Sequence, residues 1–71
     1  MTWDEVLEAA KQKRYLYYKA PLDYRPTLVS LSWNVNHPRM VRVIPPVTKG
    51  PNGADPFWAD ESHLLRFSLT R

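Results

Sequence analysis

The residues best suited to chemistry lie near the C-terminal end of the chain, in Asp60-Glu61-Ser62-His63. A hydroxyl nucleophile, an imidazole base and two carboxylates are the parts of a serine-type hydrolase. Such a site works only when the nucleophile, the base and the orienting acid converge in space. Neighbours on one turn point apart, so the expectation is a surface turn capped by Asp60. The same carboxylates fail as a general acid–base pair, because a small turn forms no cleft around a substrate. A metal needs three or four ligands in fixed geometry. The candidates are His37, His63, Asp55, Asp60 and Glu61, and no HxH or HExxH spacing joins them. Gly50-Pro51-Asn52-Gly53 has neither a Walker nor a dinucleotide-binding pattern, and reads as a turn. The expectation is a protein without catalysis, cofactor or metal.

The better signal is basic residues interleaved with aromatic ones: Lys13-Arg14-Tyr15-Leu16-Tyr17-Tyr18-Lys19, then Tyr24-Arg25, with Arg39, Arg42 and Lys49 further on. Lysine and arginine neutralise phosphates, and exposed aromatic rings stack on bases. The candidate binding face is therefore Arg14, Tyr17, Lys19, Tyr24, Arg25, Arg39, Arg42 and Lys49, and its first-choice partner is nucleic acid. Charge is distributed to match. Residues 1–10 carry Asp4, Glu5 and Glu8 and no base, a net −3. Residues 11–49 set eight bases against Asp23, a net +7. Residues 50–71 set Asp55, Asp60 and Glu61 against Arg66 and Arg71, a net −1. The bland counterpart is cancellation in space, with the acidic start of the chain lying beside the basic strands. The tyrosines have a competing use too, since a chain without cysteine must build its core from large side chains; at least two of Tyr15, Tyr17 and Tyr18 are expected to be structural. The alternative partner is another protein, with Tyr24, Phe57 and Trp58 lining a groove. Self-association is a third option, a small domain with three tryptophans completing its core across a dimer.

These side chains need a scaffold, and 71 residues are expected to make one domain. The absence of cysteine fits a reducing compartment. The acidic start lacks the basic flank of a secretion signal, and there is no apolar run long enough to cross a membrane. The expected location is cytoplasmic. Thr2-x-x-Glu5 is a capping box, and Trp3, Val6, Leu7 and Ala10 follow the i, i+3, i+4, i+7 rule, predicting an amphipathic helix over 3–13. Tyr15-Leu16-Tyr17-Tyr18 predicts a strand at 14–19, central or covered by the helix. Alternation predicts a strand at 27–35 with Val29, Leu31, Trp33 and Val35 on one face. A turn over 36–39 leads to a strand at 39–44, close enough to form an antiparallel hairpin. A long loop from Val47 to Asp55 follows. Short strands at 56–59 and 64–70 complete the chain, with Leu65, Phe67 and Leu69 sharing a face of the last.

The segment Phe57-Trp58-Ala59-Asp60-Glu61-Ser62-His63-Leu64-Leu65 before a closing strand resembles the end of SH3-like barrels, where one 3₁₀ turn precedes the last strand. The resemblance spans residues 27–70 and concerns the fold, which hosts many functions. The expected class is α+β: an N-terminal helix packed on a small antiparallel sheet, or on a partly open SH3-like barrel of four to five short strands.

Overall fold

The computed structural model describes residues 1–46 and 55–70. The expected loop of residues 47–55 lies, apart from Asp55, outside the described residues, as does Lys49.

Helix α1 runs Trp3–Lys11. The Thr2 hydroxyl accepts from the Glu5 backbone N–H while the Glu5 carboxylate accepts from the Thr2 N–H, so the predicted capping box is formed in both directions. The helix stops two residues short of expectation. Gln12 caps it, and Lys13 adopts a left-handed φ of 57°. That kink turns the chain directly into the sheet.

Five strands follow: β1 Tyr15–Tyr18, β2 Thr27–Ser32, β3 Val41–Ile44, β4 Phe57–Ala59 and β5 Phe67–Ser68. A 3₁₀ helix, η1 Glu61–Arg66, separates the last two. The sheet order is β4-β3-β2-β1-β5, every neighbouring pair antiparallel. Strand β1 covers residues 27–30 of β2 on one side, and β3 covers residues 30–32 on the other. This stagger accompanies the curl of the sheet into a half-barrel. Helix α1 packs into the hollow. The fold is the expected α+β class, and the two architectures read from the sequence meet in it: the sheet is open, and it curls like an SH3-like barrel.

The core is the concave side. Leu16 and Tyr18, Val29 and Leu31, Val41 and Val43, Ala59 and Phe67 face Trp3, Val6, Leu7, Ala9 and Ala10 of the helix. Trp3, Phe67, Tyr18 and Phe57 form a chain of tilted ring contacts, with centroids 5.9, 5.0 and 5.3 Å apart in that order. Such geometry suits the ring quadrupoles.

Three strands depart from the sequence reading by more than one residue, β2, β3 and β5. Residues 33–35 leave β2 because Asn34 starts a turn: its side chain accepts from the Asn36 N–H and its carbonyl from the His37 N–H. Val35 is consequently exposed. Strand β3 begins at Val41, since the Met40 N–H is held by the His37 carbonyl. The first three residues of the expected strand at 64–70 belong to η1, and only Phe67–Ser68 pair as β5. Three residues per turn put Leu64 and Phe67 on the inner side, and Leu65 is 98% exposed.

Candidate functional site

Alternation along a strand sends successive side chains to opposite faces. With Leu16, Val29, Leu31, Val41, Val43, Ala59 and Phe67 inside, the outer face is fixed residue by residue. The strand registers then arrange it in three cross-strand rows. Tyr15, Ser30 and Ile44 form one, and Tyr17 stands between Leu28 and Ser68 in another. Arg42 stands between Ser32 and Trp58 in the third. These strand residues include no lysine, aspartate or glutamate.

This face exposes large apolar side chains. Tyr15 is 65% exposed, Leu28 46% and Ile44 36%. Together with Ser30, Pro45 and Pro46 they line one shallow depression. Pro45 and Pro46 end β3 there because proline brings no N–H to a ladder. At the other end of β3 the Arg42 guanidinium lies over the Trp58 ring, Cζ 5.6 Å from its centroid. The His37 imidazole meets the same indole at 4.9 Å. Among the described residues Arg42 makes no ion pair.

Among the described residues, the basic and aromatic side chains singled out from the sequence do not gather on one face. Tyr17 and Arg42 share the outer face. Arg39 turns the other way, to Asp4 at 2.9 Å and Glu61 at 3.9 Å, joining the start of α1 to η1. This is the spatial cancellation that the acidic first turn allowed. Arg14 lines a groove on the helix side with Glu5, Glu8 and Leu69. Tyr24 and Arg25 are exposed in the connection from β1 to β2, and Lys19 is exposed where that connection begins. Of the three tyrosines, Tyr18 is buried, Tyr17 half-buried and Tyr15 exposed. Phe57, Trp58 and Tyr24 line no common groove, since Phe57 packs toward the core and Trp58 stands outside.

Asp60, Ser62 and His63 do come together, contrary to the expectation that they point apart. The Asp60 carboxylate accepts from the Ser62 N–H at 3.0 Å and from the Ser62 hydroxyl at 2.5 Å. His63 Nδ1 lies 3.3 Å from the Ser62 Oγ and 3.4 Å from Asp60 Oδ1. A catalytic relay needs one imidazole nitrogen on the acid and the other on the nucleophile. Here one nitrogen faces both, and the serine proton already points to the carboxylate. The arrangement is an N-cap of η1, as expected of Asp60. The Ser62 hydroxyl and N–H hold the Asp60 carboxyl below its ordinary range. Among the described residues, no cluster of histidine and acidic side chains could hold a metal ion, and no helix is long and apolar enough to cross a membrane.

Tyr15, Leu28, Ile44 and Trp58 were absent from the predicted binding face. Their signal was the phase of each strand: once Leu16, Val29 and Val43 are assigned to the core, their neighbours must face out. Comparison of the chain with protein-family models, with curated proteins and with solved structures finds no match in any of the three.

Proposed function

We propose that this protein is a non-catalytic interaction module that binds another protein through the outer face of its sheet. One observation carries the reading: Tyr15, Leu28 and Ile44 are exposed around one shallow depression, on a face that also presents Tyr17, Trp58 and Arg42. Contiguous exposed apolar surface marks interaction sites. The centres of protein interfaces are enriched in tyrosine, tryptophan and arginine and depleted in lysine and acids. The outer face has that composition. The absence of cysteine supports a reducing, cytoplasmic setting.

Nucleic acid is the second reading, favoured by Tyr15 and Tyr17 sharing a face with Arg42, whose guanidinium lies over the Trp58 ring. It ranks lower because binding to a phosphate backbone is built from several cations. The outer strands contribute one, while Arg39 is engaged by two acids. Leu28 and Ile44 also lack the π-face on which a base stacks.

A photoreactive benzoyl-phenylalanine placed at position 28, and separately at position 24, tests the proposal in cells that express the protein. Cross-linking to one discrete protein from position 28 and not from position 24 is the expected result. The reverse pattern, or cross-links to nucleic acid, would overturn it.

A further inference from the structure

The outer face has a charge imbalance that narrows the partner's chemistry. Its strands present a single cation, Arg42, and no carboxylate. Arg39 lies on the other side of the hairpin, where Asp4 and Glu61 already engage it. Arg42 is also positioned rather than loose, because its guanidinium lies over the Trp58 ring. A ring contact of this kind leaves N–H donors at the rim of the guanidinium, where they match the two oxygens of a carboxylate. Holding the side chain in place beforehand lowers the ordering cost of binding.

Ile44 follows Arg42 by two residues on the same face, so the two side chains stand about 7 Å apart along the strand. Ile44 opens onto the depression shared with Tyr15 and Leu28. A charge receptor and an apolar seat thus lie at the spacing of alternate residues in an extended chain. Resting on the outer-face reading above, we propose that the partner presents an extended segment with an aspartate or glutamate on Arg42 and an apolar side chain two residues away in the Tyr15–Leu28–Ile44 depression. The positive charge of the face selects the acidic residue, and burial of the apolar one contributes the rest of the affinity.

The test is selection of random decapeptides displayed on phage against the full chain, followed by titration of the recovered peptides. Recovered peptides should carry an acid and an apolar residue two positions apart. Replacing the acid of the peptide by its amide should weaken binding at least tenfold. Arg42→Gln should do the same, Arg42→Lys should lose less, and Arg25→Gln should leave affinity unchanged. The amide peptides test the contact without altering the protein. Peptides that lose binding to Leu28→Ser yet show no acid enrichment and ignore Arg42→Gln would overturn the carboxylate contact and leave the outer face standing. Peptides indifferent to both substitutions, or no recovered peptides, would overturn the contact and the outer-face reading together. Displacement of the peptides by an oligothymidylate 15-mer, with steep salt dependence, would overturn both in favour of nucleic acid.

Discussion

The indole N–H of Trp3 donates to the backbone carbonyl of Arg39 at 2.8 Å, joining the first turn of the helix to the turn between β2 and β3. Trp33 repeats the device one residue earlier, donating to the Pro38 carbonyl at 3.1 Å. Two tryptophans therefore hold one turn through adjacent carbonyls, and Lys11 lies over the Trp33 ring at 4.8 Å. The turn that ends the hairpin is in this way tied to the helix that fills the sheet.

Trp3→Phe keeps a ring in the core and removes the hydrogen bond. It should cost about 1–2 kcal/mol, the worth of one bond plus the partner left behind. Trp33→Phe should cost less than about 1 kcal/mol, because its bond is exposed to water and water can replace it. Urea unfolding followed by circular dichroism checks both. Equal losses from the two variants would contradict the asymmetry.

Acid should loosen the N-terminal caps of α1 and η1. Bonds from the Thr2 backbone and hydroxyl lower the Glu5 pKa from its ordinary value of 4.5, and bonds from Ser62 lower that of Asp60 from 3.8. A carboxylate with a depressed folded pKa contributes stability above its unfolded pKa and loses it as pH falls through the folded one. Stability should therefore decline from about pH 4.5 downward, and Glu5→Gln should flatten the start of that decline. At the alkaline end, burial raises the Tyr18 phenol above 10.0, outweighing Arg66. That contribution is present below pH 10 and lost as pH rises through the folded pKa. Thermal unfolding of Tyr18→Phe should show a shallower alkaline limb than the wild type; identical limbs would contradict the assignment.

Leu64 and Leu65 are adjacent and chemically equal, yet only Leu64 packs against the core. Leu64→Ala should destabilise by about 2 kcal/mol, at the low end for a leucine truncation because the site is half-buried. Leu65→Ala should fall within about 0.5 kcal/mol of wild type. A strand over 64–70 makes the opposite assignment, so paired chemical denaturation separates the two arrangements.

That pair also marks where sequence reading stops. The helix was legible because capping is local: Thr2, Glu5 and the Trp3–Val6–Leu7–Ala10 stripe lie within three turns. The hairpin was legible because period-two alternation is local as well. The end of β2 was hidden, since Asn34 reads as one more polar residue on an alternating strand until its side chain is seen to start a turn. The partner of Arg39 was hidden because Asp4 and Glu61 approach it from 35 residues before and 22 after. Parity alone turns Leu28 outward, but one exposed leucine is unremarkable until the register sets it opposite Tyr17 and the fold opens it onto the depression that Ile44 lines.

The outer face of the sheet is the proposed binding surface, and the most direct measurement of it is the affinity of the cross-linked partner, once identified, for two multiple-substitution variants. Tyr15→Ser/Leu28→Ser/Ile44→Ser changes three exposed positions of that face; Leu22→Ser/Tyr24→Ser changes two residues that are 94% and 99% exposed in the β1–β2 connection. Both should keep the wild-type circular dichroism spectrum. The face variant should lose at least a hundredfold in affinity by isothermal titration calorimetry, and the connection variant should stay within twofold. Full affinity in the face variant, with loss in the connection variant, would contradict the account.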